Sequence, residues 1–242
     1  VPISLFGREY IVMKGQLFSD EKFFVTTLYP NTQIFVNGIF QETVINEGEV
    51  RSYDVSTNTV YVNTSEPAMV VHITGYGCEM GGAYLPTIEG CTGSYSVTFT
   101  RTPNTLDGFF MNLMVRNDTV KGSSTKNQSI KNFTITCNSN TDTIPENYFD
   151  FVLDSTWAVL KNTMEVRNYI SSKITSGSEA MVSNKIARFH LGVINGGTTT
   201  GCKYGYFSDY ASEKGSAGIG GAYAPKLYTL CSLDPVRLVA SG

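Results

Sequence analysis

Charge is what this 242-residue chain has least of: 16% of its residues are Asp, Glu, Lys or Arg, where an average soluble domain carries about a quarter. Eighteen basic residues against twenty-one acidic ones give a net charge of −3, which excludes the basic surface that nucleic-acid binding needs. Histidine is rarer still, with two in the whole chain, and there is one Trp. No apolar run approaches the length of a membrane-spanning helix. The start Val1-Pro2-Ile3-Ser4 lacks an initiator Met and a signal peptide's basic and apolar regions, so it reads as processed or excised. Neither GxGxxG opening a helix nor GxxxxGK[ST] is present, which argues against nucleotide cofactors. With no DxDxDG run, no CxxC pair and no GxSxG, calcium, zinc-ribbon and serine-hydrolase sites also lack a motif, and we expect no metal and no cofactor.

What fills the polar side instead is 66 Ser, Thr and Asn residues, a hydroxyl- and amide-rich surface. Hydrophobic residues make up 41%, with 14 Tyr and 14 Phe, enough for one or two sizeable cores and too many for a disordered chain. Short β-rich runs recur every 8 to 15 residues between Gly, Asn, Ser, Asp and Pro, the rhythm of sandwiches and barrels. Thr32–Val36 and Ile39–Gln41 flank Asn37-Gly38, a pair suited to a type I′ hairpin turn. Strands are also expected at 22–29, 49–55, 59–63, 68–75, 94–101, 109–116, 130–137, 148–153, 158–164, 186–194 and 226–230. Only 157–171 has helical spacing, weakened by Asn162, Thr163 and Asn168.

Glu49-Val50-Arg51-Ser52-Tyr53 recurs as Glu165-Val166-Arg167-Asn168-Tyr169, and the strand around His72 recurs around His190. The offsets, 116 and 118, differ by one short loop insertion. Both copies run into a Gly- and Tyr-rich loop. The expected fold is therefore all-β, with two related β-sandwich, jelly-roll-like lobes from an internal repeat, at 1–104 and 105–242, packed as one unit.

Both histidines lie inside alternating strands, where a hydrogen-bonded structural role outweighs a catalytic one. Glu79 and Glu89, either side of a Gly-Gly turn, are the one carboxylate pair whose placement invites glycoside hydrolysis, and solvated loop acids are the plainer reading. Five cysteines point to an oxidising compartment. Cys78 and Cys91 bracket twelve residues rich in turn formers and are expected to form a disulfide; Cys202 with Cys231 is a second candidate, leaving Cys137 over. Tyr76, Tyr84, Tyr204, Tyr206 and Tyr210 lie in glycine-rich loops. There their rings either stack on a sugar or a protein partner or cap the core, and with Glu79 they form the candidate ligand-binding set. Four N-x-[ST] sequons and three Asp-[Ser/Thr] motifs are weak signs of an exposed, glycosylated surface.

The run Gly77-Cys78-Glu79-Met80-Gly81-Gly82-Ala83-Tyr84-Leu85-Pro86, followed by Cys91-Thr92-Gly93-Ser94, resembles the IgGFc-binding-protein N-terminal domain family. Tyr204-Gly205-Tyr206 is similar to that family's closing element, although Lys203 stands where a Ser is usual. The resemblance runs from about Gly15 to Tyr210. It implies an extracellular, non-catalytic adhesive module near the start of a long surface or secreted protein. Its partners would be a glycan or protein ligand and the neighbouring domains of the same chain. The low charge and the Asp-[Ser/Thr] motifs are more like the Bacteroidetes members, which are exported by the type IX system and linked to gliding. A carbohydrate-active domain and a purely structural spacer are the competing readings, and antibody binding is not implied.

Overall fold

A computed structural model describes residues 3–15, 20–75, 80–90, 92–117, 128–197 and 201–210, together with a short strand pair, Leu227–Tyr228 and Arg237–Leu238. The chain is all-β with one helix of ten residues among the described ones. Seven strands form the first sheet: β1 (Gly7–Met13), β2 (Lys22–Thr27), β3 (Thr32–Val36), β4 (Ile39–Val44), β5 (Val50–Asp54), β6 (Thr59–Thr74) and β7 (Gly81–Tyr84). The Asn37-Gly38 turn between β3 and β4 has φ of 51° and 77°, both positive as a type I′ turn requires.

β6 merges two strands expected separately at 59–63 and 68–75. It runs through Pro67 because Ser65, Glu66 and Pro67 have no ladder partner, so the missing N–H costs nothing there. Before this gap β6 pairs with β1 and β3, and after it with β2 and β7 and, through Ala68 opposite Gly7, with the start of β1. Its even-numbered residues enter one core from both halves, with Tyr10, Val12, Phe23, Val25, Ile34 and Val44. The sheet therefore coils round that core, and its edge strands meet where Glu42 of β4 accepts from Arg51 (2.7 Å) and Tyr53 (2.9 Å) of β5.

The second half contributes two sheets. β8 (Ser96–Thr100), β10 (Phe133–Cys137), β11 (Asn140–Thr143) and β14 (Glu179–Asn184) form one, in the order β11-β10-β14-β8. β9 (Phe109–Arg116), β12 (Phe149–Val152), β13 (Trp157–Leu160), β15 (Phe189–Gly197) and β16 (Gly201–Tyr206) form the other, in the order β12-β13-β9-β15-β16. They sandwich the largest core, closed at one side by Val166 and Ile170 of α1 (Met164–Lys173).

The middle of the five-stranded sheet, at β9 and β13, is buried on both faces. Met111, Leu113 and Val115 of β9 face the four-stranded sheet, while Met114, with Trp157 and Val159 of β13, packs on Ile11 and Met13 of β1. Such burial explains why β9 reads FFMNLMVR, apolar with no alternation.

Two expectations need correction. The repeated pentapeptide is strand β5 at its first occurrence and lies in α1 at its second, so this part of the repeat does not correspond in structure. The second copy is set by its surroundings: Thr163 caps the helix by accepting from Val166 N–H, and Val166 and Ile170 lie one turn apart on the buried side. β8, expected with the first lobe, pairs with β14 and adds Val97 and Phe99 to the second core.

Candidate functional site

Both histidines are fully buried rather than half-buried, and each clips distant segments together. His72 on β6 binds Glu21 through Nε2 (2.7 Å) and Tyr204 Oη of β16 through Nδ1 (3.1 Å). Donor bookkeeping fixes the directions. The Glu21 carboxylate can only accept, so Nε2–H donates to it, and Asn112 Nδ2 donates to Met13 O (3.1 Å) and to Tyr204 Oη (3.3 Å). Glu21 also accepts from Gly15 N–H (2.8 Å).

Arg167 donates to Gly15 O and to Asn162 Oδ1 (2.9 Å), and lies over the Phe110 ring. Burial lowers its pKa to about 10, opposed by the Glu21 charge. This polar junction joins the coiled seven-stranded sheet to the five-stranded sheet. Sequence reasoning missed Glu21, Asn112 and Arg167 as members of it, because no local spacing encodes a contact across 51 or more residues.

His190 on β15 is the second clip. Thr92 Oγ1 donates to Thr87 O (2.9 Å) and so accepts from Nε2–H (3.0 Å); Ser208 Oγ donates to Nδ1 (2.9 Å), and Trp157 stacks alongside. Burial without a carboxylate partner lowers the His190 pKa to about 3. Neither histidine faces solvent, and among the described residues no group of three His, Cys, Asp or Glu is placed to hold a metal.

The residues expected to bind ligand separate into three groups. Tyr76, Cys78, Glu79, Cys91 and Cys231 lie outside the described residues. Tyr204 and Tyr206 are half-buried rings whose hydroxyls turn into the junction, where burial raises both phenol pKa values; Tyr206 Oη is wholly enclosed. Tyr84 remains 47% exposed, and Tyr210 donates to its carbonyl (2.6 Å).

The loop that carries Tyr84 is anchored at its far end. Leu85, Thr87, Ile88 and Thr92 are buried, Ile88 in the contact between β1 and β13, so this stretch fills the junction instead of presenting a free surface. Glu89 accepts from Arg8 N–H (2.6 Å), which ties it to the start of β1. Cys202 is a buried thiol with its pKa raised to about 11 by burial, its candidate partner Cys231 lying outside the described residues; Cys137 is likewise a buried thiol.

Among the described residues, two surfaces stand open to a ligand. One is the outward face of the coiled sheet, where Ser52, Phe24, Val71 and Tyr84 stand in a row across β5, β2, β6 and β7, with Met80 (57% exposed) at the end. Phe24, Val71 and Ile73 are half-buried there. The other is a cleft of about 470 Å³ between the Asn37-Gly38 turn and the Leu153–Ser155 turn.

No helix among the described residues is long and apolar enough to cross a membrane. No curated protein and no solved structure matches the chain. The family model for IgGFc binding protein matches residues 1–184, ending before Tyr204-Gly205-Tyr206. That match covers most of the chain, from β1 through β14, and the protein belongs to the IgGFc-binding protein family.

Proposed function

We propose that this chain is an extracellular, non-catalytic adhesion module of a large surface or secreted protein, and that it holds a glycan or protein ligand at the β7 end of its coiled sheet. Membership of a family of binding proteins supports the general class. The observation that carries the site is the row of half-buried Phe24 and Val71 that ends in exposed Tyr84 and Met80: an apolar strip with a phenol at its rim, held on paired strands, loses little entropy on association. Its chemistry suits a sugar face or an apolar protein patch. The hydroxyl- and amide-rich, weakly charged surface agrees with an extracellular setting, and a gliding-associated bacterial adhesin is the narrower form of the proposal.

The test is binding of the whole chain to a glycan array and to extracellular-matrix proteins, beside a Tyr84→Ala variant whose melting is unchanged. A hit weakened about tenfold or more by Tyr84→Ala is the expected outcome. Silence on both arrays would favour a structural spacer, and a hit indifferent to Tyr84 and Met80 would move the site elsewhere. Hydrolysis of an arrayed polysaccharide would overturn the non-catalytic reading.

A further inference from the structure

The cleft between the two turns is independent of the Tyr84 surface, and its construction specifies a ligand. We propose that it is a second binding site, for a neutral saccharide. One wall is Ile11 of β1 with Thr59 and Tyr61 of β6 and the Asn37-Gly38 turn; the other is Val152, Leu153 and Asp154. Both lobes thus contribute, and its 470 Å³ falls within the range of small-molecule sites, which favour such junctions.

The half-buried Tyr61 ring, Val152 and Leu153, packed over the buried Ile11, offer an apolar surface for the C–H face of a pyranose. Around it stand an amide, a hydroxyl and a carboxylate. Asn37 Oδ1 already accepts from Tyr61 N–H (2.8 Å), which orients the amide and leaves Nδ2 as the donor toward a ligand. Asp154, exposed at its turn, can only accept, and Thr59 can do either.

A polyol matches this set, since each of its hydroxyls both gives and receives. An anion would face Asp154 with no cation in the lining, and an ammonium would face the Asn37 donors. A wholly apolar ligand would strip water from Asp154 and Asn37 without replacing it.

The walls are pre-set. Asn37 N–H donates to Tyr61 O (2.8 Å), which fixes the first turn to β6. In the second, Leu153, Asp154 and Ser155 all have positive φ (52°, 53° and 67°), a conformation each L-residue resists. It is held from behind by Asn117, which donates from Nδ2 to Ser155 O (2.8 Å) and from N–H to Thr156 O (2.8 Å). A turn maintained against local preference keeps Asp154 beside the cleft before any ligand arrives, which lowers the ordering cost of binding.

The experiment titrates the whole ¹⁵N-labelled chain with neutral hexosides, N-acetylhexosamines and their disaccharides. Two variants suit the backbone: Asp154→Asn keeps a residue that tolerates positive φ, and Asn37→Asp keeps the acceptor for Tyr61 N–H while removing the amide donor. At least one sugar is expected to shift the amides of Asn37, Gly38, Tyr61 and Leu153 saturably. Its affinity should fall about tenfold or more in each variant and stay unchanged in Tyr84→Ala. No saturable shift at these amides with any sugar would overturn the proposal, as would shifts caused by tetramethylammonium and by no sugar. Sugar binding that is lost in Tyr84→Ala but kept in Asp154→Asn would overturn the cleft site while leaving the adhesion surface standing.

Discussion

His190 shows how one buried side chain makes stability depend on pH. Its folded pKa lies near 3, below the ordinary value of 6.5, because burial opposes the charged form. Below pH 6.5 the unfolded chain takes up a proton that the folded chain refuses, so this contribution to stability is full above that pH and is lost as pH falls toward 3. The loss is at most about 1.4 kcal/mol per pH unit. Denaturation midpoints at pH 7.5 and 5.5 should therefore drop in the wild type and change much less in His190→Gln; equal slopes would refute the assignment. The strand setting of both histidines was legible from the alternation around them. Their partners were not: Glu21 is 51 positions from His72, and Thr92 is 98 from His190. The residues of the cleft are equally scattered, at 11, 37, 38, 59, 61 and 152–154, in five separate strands and turns.

Among the elements, local chemistry was readable wherever it was sufficient by itself. Asn37-Gly38 defines its hairpin because the pair accepts positive φ at both positions, whatever surrounds it. The pentapeptide shared by β5 and α1 contains no such instruction, and its neighbours decide: the first copy meets the edge of β2, the second follows a capping Thr163 and continues to Ile170. Gly93 is a position where neighbours leave one residue type. Its φ is +94°, and an added Cβ would lie 2.8 Å from the Phe189 carbonyl oxygen. Gly93→Ala is expected to cost about 2–3 kcal/mol, from backbone strain and the displacement of β15. Gly48, at φ +75° with nothing within 4 Å of such a Cβ, provides the comparison, and Gly48→Ala should cost about 1 kcal/mol. Chemical denaturation of both variants checks the difference; equal losses would mean that the approach of β15 to Gly93 carries no weight.

For the molecule as a whole, the question is whether the two cores melt together. Their contact is partly apolar, through Ile11, Met13, Ile88, Met114 and Trp157, and partly the polar junction in which Glu21 holds His72, Gly15 N–H and the field of Arg167. Removing Glu21 leaves a buried imidazole N–H and a backbone N–H without their acceptor, and deprives Arg167 of a nearby opposite charge. Breaking a buried charged network in this way costs about 3–5 kcal/mol. The exposed pair Arg8–Glu66, 3.3 Å apart and about half accessible, should contribute less than about 1 kcal/mol. Because β9 is buried on both faces, loosening the junction uncovers Met114 and Trp157 of the sheet that also lines the second core. Glu21→Ala should therefore lower one common melting transition, with Glu66→Ala close to wild type. Scanning calorimetry decides the matter: a Glu21→Ala trace that splits in two, one component at the wild-type temperature, would show that the lobes unfold independently and that the junction only tethers them.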